Sequence, residues 1–302
     1  MKPQPAIFTE GSSHHYFLEF DVPPHAELSG LIRGLQEALA PVGAATAGHE
    51  PVVVVGFGDA LWRRWAPSSC PDQLRAFQPI QGVGQHRAPA TQHDLWFWIH
   101  GDHIDENLAR ALHVGRALQG AASLALEERG FTHRDSRDLT GFIDGTANPT
   151  GDERQLVALV PDGTPGAGGS FVLAQRWVHD LQAFWALPTA EQERVIGRTR
   201  PESVEFEGDA MPADSHVSRT DIEHDGVSQK LYRRSAPFGT VREQGLYFLG
   251  FACDPGRFEA ILSSMFGTSG DGEHDRLIEY SKPTSGAFYF APSQSDLEEL
   301  LS

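Results

Sequence analysis

The chain has 302 residues with 40% hydrophobic content, enough for one large domain or two ordinary ones. Its 41 acidic against 24 basic residues leave a formal net charge of −17. That balance argues against nucleic acid and against an anionic membrane surface as partners.

Reading along the chain, the N-terminus MKPQPAIFTEGSS lacks the apolar run of a secretory signal. Apolar runs such as 52–55 and 95–99 are far too short to span a membrane, so the expected location is cytoplasmic. Alternating or apolar stretches predict strands at 15–22, 52–57 and 95–101, with a weaker one at 125–131. Helical periods lie between them at 26–39, where leucines and isoleucine recur every three to four residues, and at 105–118, with Asp105 as its N-cap. The order β-α-β-β-α-β is that of the ferredoxin-like unit. After the Gly/Pro-rich 164–169 the pattern repeats: strand 171–178, helices through 181–196, an acidic loop over 202–228, strands 231–235 and 245–252, helix 257–265 and strand 287–291. The predicted fold is α+β, with two ferredoxin-like halves, 1–150 and 151–302, and antiparallel sheets. This is a dimeric ferredoxin-like arrangement within one chain. Cys70 and Cys253 are too few and too far apart for a disulfide framework or a thiolate metal site, and read as buried thiols.

GFIDGTANP, at 141–149, holds a single carboxylate, Asp144, framed by Gly141 and Gly145 and preceded by Phe142 and Ile143. A surface turn has no need of the apolar pair, and a buried strand does not tolerate the glycines and proline. His100 and His103 have ligand-like spacing but read as a solvated, helix-capping pair, because a metal site needs more ligands. His14 and His15 are adjacent on a strand and point to opposite faces. His216, in DSHVSRT, has no second ligand at metal spacing; it is an exposed loop histidine or the one protein ligand of a haem iron. Arg233 and Arg234 alternate on a short strand, so they are both edge decoration, or one enters the interior while the other stays in solvent. Leu246 and Phe248 share a strand face as core packing or as an apolar wall. The six tryptophans read as buried packing before electron relays.

GFIDGTANP, GSFVLAQRWVHDL, VIGRTR, DSHVSRT, LYRRSAPFG, GLYFLGF and SGAFYFAPS occur in that order. Together they resemble the dye-decolourising (DyP-type) haem peroxidases, and the bacterial cytosolic B-type branch most closely. The resemblance covers about 50–293 and is strongest from 139. It implies haem b in the second half, hydrogen peroxide as oxidant, and dyes, phenolic compounds or other small organic molecules as reductants. Asp144 becomes the distal acid, Arg233 the distal arginine and Ser235 its polar neighbour. His216 becomes the iron ligand, Arg198 a partner for a haem propionate, and Gly145, Leu246 and Phe248 contacts of the macrocycle. Asp275 is either the acceptor of the imidazole N–H or a cap of the stretch DRLIEY. The resemblance also implies a homo-oligomer, a dimer or larger. LEELLS at the C-terminus leaves little room for the tail by which some relatives become encapsulin cargo. Two rival readings are a haem-handling protein that releases iron from porphyrin and a haem binder without turnover.

Physically, peroxide reduction requires a proton moved between its oxygens and stabilisation of charge as the O–O bond breaks. A carboxylate can move the proton, and a fixed guanidinium in a dry cavity can steady the charge. That accounts for one acid in an apolar, glycine-framed loop.

Overall fold

Aromatic and β-branched residues crowd the predicted strands, and the computed structural model, which describes residues 1–42, 48–224 and 226–302, forms them close to the expected bounds. The main ring of strands is β1 (His14–Asp21), β2 (Val52–Phe57), β3 (Leu95–Gly101), β4 (Ser123–Phe131), β5 (Ser170–His179), β6 (Ala236–Gly239), β7 (Gln244–Ala252) and β8 (Ala287–Ala291). Hydrogen-bonded neighbours run β4-β1-β3-β2-β8-β5-β7-β6. The ring closes where Phe238 of β6 pairs with Gly130 of β4. All the pairings are antiparallel. The expected α+β class with antiparallel strands therefore holds, and the strands join in one closed barrel.

Closure sorts the side chains. Phe17, Val54, Trp96, Trp98, Tyr247 and Tyr289 gather in one fully buried cluster fed by successive strands. Alternate residues such as Leu18, Phe97, Leu173 and Phe288 belong to a second cluster, beneath the helices. Helices Leu28–Leu39 and Ile104–Ala117 pack on each other, and the second of them packs on β1 and β3. Helix Gly256–Met265 buries Phe258, Ile261 and Leu262 on the other half. Among the described residues no helix is long and apolar enough to cross a membrane.

Several local expectations fail for identifiable reasons. His100 is fully buried, with its ring between Ser12 Oγ at 2.7 Å and the Ala6 carbonyl at 3.0 Å. The solvated pair is thus half wrong; His103 does stand at the N-cap position, but its side chain caps nothing and stacks on His49. Asp105 lies in the first turn of that helix, where a negative charge suits the helix dipole. Arg234 does not stay in solvent: it donates to the Ile7 and Thr9 carbonyls and lies 5.0 Å over the Trp98 ring. Cys253 is only partly buried. Trp62, Trp96 and Trp98 are buried as expected, whereas Trp185 is 53% exposed. The acidic loop contains a short helix, His216–Thr220, and a small hairpin, Glu223–His224 with Val227–Ser228.

Candidate active site

The acid-bearing loop is wound tightly on itself. The Asp138 N–H bonds the Phe142 carbonyl, and the Gly141 N–H bonds the Asp138 carbonyl, both at 2.9 Å. Gly141 and Gly145 have φ of +100° and +82°, the left-handed region that side chains disfavour. A Cβ on Gly141 would also stand 2.6 Å from the Arg200 guanidinium. Arg137 braces the turn by donating to the carbonyls of Gly141, Arg200 and Pro201. Held this way, Asp144 turns its carboxylate toward a cavity and accepts the Gly145 N–H at 2.7 Å.

Asn148 joins this loop to the arginine strand. Its Oδ1 accepts the Arg233 N–H at 2.9 Å, and its Nδ2 donates to the Arg233 carbonyl at 2.7 Å. One side chain thereby substitutes for a neighbouring strand along Tyr232–Arg233, whose other edge pairs with β7. Arg233 Nη1 lies 4.0 Å from Asp144 Oδ1, and among the described residues its guanidinium makes no hydrogen bond. The pair is close enough to share a small molecule and too far apart to neutralise itself fully.

On another wall, the Ser215 hydroxyl caps the helix that begins at His216. His216 Nδ1 lies 2.6 Å from Asp275 Oδ2. Asp275 is fully buried, and its other oxygen accepts the Leu277 N–H at 2.8 Å as the cap of the short helix Arg276–Glu279. Both sequence readings of Asp275 hold at once. A carboxylate oxygen accepts, so Nδ1 is the donor of this bond, and in the neutral ring Nε2 then carries the lone pair. Nε2 has no hydrogen-bond partner among the described residues.

The space between these walls, with the open solvent at its mouth included, is about 1550 Å³. Asp144, Gly145, Arg198, His216, Arg233, Leu246 and Phe248, all singled out from the sequence, line it. Arg198 is paired with Glu205 there and donates to the Ser203 carbonyl at 3.1 Å. Ser235 does not line it; its hydroxyl accepts the Leu249 N–H at 3.3 Å and so secures the strand.

Sequence reasoning missed a polar cluster on the same wall. His179 bridges Asp138, at 3.1 Å, and Ser281, at 2.7 Å. Burial pushes the Asp138 carboxyl up, yet the His179 charge and the Thr140 hydrogen bonds outweigh it and hold the group at about 2. Alternation along β5 was the available signal, since Leu173, Gln175, Trp177 and His179 share its outer face. The partner Asp138, 41 positions away, carried no signal.

The donor set fits a haem. Among the described residues no three His, Cys, Asp or Glu side chains gather as an ion cage. A lone imidazole with a free Nε2 suits an iron whose remaining ligands come from a macrocycle. Leu173, Trp177, Leu246, Phe248 and Leu262 offer apolar walls for such a macrocycle, and Arg198 and Arg233 bring positive charge to the same lining.

Comparison with known proteins agrees with this geometry. Residues 4–132 match the model for "Dyp-type peroxidase, N-terminal", and residues 135–296 match "Dyp-type peroxidase, C-terminal". The chain is 36% identical to a dye-decolorizing peroxidase of Rhodococcus erythropolis over 278 residues, 91% of this chain and 79% of that one. It is 34% identical to one from Mycobacterium tuberculosis, over 89% of this chain and 79% of the relative. Among solved structures, a variant of DypB from Rhodococcus jostii in complex with heme superposes with a TM-score of 0.92 at 38% identity, covering 99% of this chain and 98% of that one. A dye-decolorizing protein from V. cholerae superposes at 0.88 with 36% identity, covering 98% and 99%. The chain belongs to the Dyp-type peroxidase family and is a haem-dependent peroxidase.

Proposed function

We propose that the cavity is the peroxidase centre, with His216 as the protein ligand of haem b and Asp144 and Arg233 as the pair that handles peroxide. Haem, when bound, supplies the iron at which peroxide is reduced and the oxidising equivalents later drawn by dyes, phenols or other small reductants. The observation that carries the proposal is the unpartnered Nε2 of His216, whose ring is fixed by Asp275 and lines the same cavity as Asp144 and the Arg233 guanidinium 4.0 Å from it. Asp144 takes a proton from one peroxide oxygen and returns it to the other, directly or through one water. Arg233 holds negative charge as it develops, and the apolar walls keep water from screening it. Asp275 holds the His216 ring and raises its basicity. Leu246, Phe248 and Gly145 border the macrocycle, and Arg198 serves its carboxylates once drawn from Glu205. Ser235 acts through the strand it secures.

The proposed architecture is two ferredoxin-like halves, 1–150 and 151–302. The strand orders β4-β1-β3-β2 and β8-β5-β7-β6 support it, since each follows the same pattern of first, second, third and fourth strand. A B-type assignment, a cytoplasmic location and a homo-oligomer complete the reading.

The test is a haem titration followed by peroxide. Wild type should develop a Soret band that changes on adding peroxide, and His216→Ala should lose or greatly weaken haem binding. A His216→Ala protein with a retained five-coordinate histidine spectrum would place the ligand elsewhere. Free porphyrin released from haem would point instead to iron release.

A further inference from the structure

The loop that bears Asp144 is a small antiparallel hairpin, and its tip is fastened to the barrel by an ion pair. The Asp144 N–H bonds the Ser136 carbonyl at 2.9 Å, Arg137 pairs with Ile143, and the Asp138 N–H bonds the Phe142 carbonyl. Asp138 Oδ1 closes the tip by accepting the Thr140 N–H at 2.9 Å and the Thr140 hydroxyl at 2.5 Å. Its other oxygen, Oδ2, lies 3.1 Å from Nε2 of His179, the last residue of β5. His179 Nδ1 lies 2.7 Å from the hydroxyl of Ser281, on the strand Ser281–Pro283 that pairs with β5.

Such a hairpin needs holding. Arg134 and Ser136, at its entry, have φ of +52° and +66°, where a side chain is strained unless its surroundings fix the backbone. Arg137 reaches the carbonyls of Arg200 and Pro201, but these belong to a neighbouring loop and not to the sheet. His179 stands on β5, which is bonded to strands on both edges. The His179 and Asp138 side chains are 6% and 14% exposed, so water screens their attraction weakly. Both nitrogens of the His179 ring are engaged. The ring lines the cavity, yet it has no nitrogen left for peroxide, and among the described residues it makes no hydrogen bond to Asp144.

We propose that His179 is a positioning residue for the peroxide reaction: through Asp138 it fixes the hairpin against β5 and so sets where the Asp144 carboxylate stands. This rests on the reading of Asp144 as the acid that handles peroxide. The chain of contacts is short. His179 holds Asp138, Asp138 holds Phe142 across the hairpin, and Asp144 follows Phe142 by two residues. Without the imidazole a largely buried carboxylate loses its partner. Asp138 then turns toward water, and the strand that carries Asp144 moves with it. A displacement of about 1 Å at a reacting group costs on the order of 10²-fold in rate. His216 and Asp275 lie on other elements and keep their places.

A double-mutant cycle on the haem-loaded protein, read by stopped-flow reaction with peroxide, tests the proposal. His179→Phe keeps the bulk of the ring and removes both bonds. It should retain the Soret band and react about 10²-fold more slowly. In an Asp144→Ala background it should cost nothing further, because residues that act through one group are not additive. His179→Gln keeps a donor for Asp138 and a polar partner for Ser281, and should recover most of the rate. Asp138→Ala breaks the same link without stranding a charge, and should give the same slowing and the same non-additivity even if His179→Phe folds poorly. Hydrogen exchange reads the position of the loop apart from turnover: residues 136–145 should exchange faster in His179→Phe and Asp138→Ala but not in His179→Gln, with 216–220 unchanged. Equal slowing with and without Asp144, loss of the Soret band in both variants, or a wild-type rate in both overturns the proposal and leaves the peroxidase reading intact. An Asp144→Ala enzyme as fast as wild type overturns this proposal together with the role of Asp144.

Discussion

The Arg233 guanidinium owes its position to an amide 85 residues earlier in the chain. Asn148→Ala removes both bonds from the Arg233 backbone, at a net cost of about 1 kcal/mol each. The larger effect is geometric, because a displacement of about 1 Å at a reacting group costs on the order of 10²-fold in rate. Asn148→Ala should therefore slow the reaction with peroxide about 10²-fold while haem binding is unchanged. Stopped-flow rates equal to wild type would show that β7 alone suffices to hold Arg233. Asp144, His216 and Arg233 were legible in the sequence because each stands in a distinctive run. Asn148 stood in GFIDGTANP as well, but its use depends on which strand lies beside it, and no local pattern carries that. His179 and Asp138 were lost for the same reason.

At the scale of elements, the short helix Arg276–Glu279 and the His216 ring share the Asp275 carboxylate, and the two uses can be separated. Asparagine caps helices about as well as aspartate, so Asp275→Asn should leave the helix in place. It removes the charge that holds the His216 N–H. Haem should stay bound, the Fe(III)/Fe(II) potential should rise, and the iron–histidine stretching frequency of the ferrous form should fall. An unchanged potential and stretch in a folded, haem-loaded variant would reduce Asp275 to a cap. Strands β2 and β3 were predicted at their observed bounds, because VVVVGF and LWFWIHG combine branched and aromatic residues that have few other uses. The sequence of β6, APFG, is short and carries proline and glycine, so it vanished into the preceding stretch. Yet β6 closes the barrel, through one pairing between residues more than a hundred positions apart. Closure is a long-range event that periodicity does not record.

For the molecule as a whole, two buried histidines shape the response to acid. Burial, and then the Arg234 charge, lower His15 and His100 from 6.5 to about 3. The unfolded chain takes up these protons below 6.5, whereas the folded protein refuses them until about 3. Their contribution to stability is thus full above 6.5 and declines as pH falls toward 3, by at most about 1.4 kcal/mol per pH unit for each group. Urea midpoints should fall between about pH 7 and pH 5, and His100→Gln should flatten the slope. Equal midpoints at the two pH values would contradict the buried, neutral state of both rings.

The barrel's inner cluster is complete without any side chain that faces the cavity, so the ring of strands owes its closure to no guest. The barrel should therefore fold before the haem is bound. Haem supply would then set the fraction of active molecules, with no toll on the yield of folded chain. Cofactor-free protein should accordingly show the near-ultraviolet circular dichroism of its packed tryptophans before haemin is added. A cofactor-free form lacking that signal would tie the two events together.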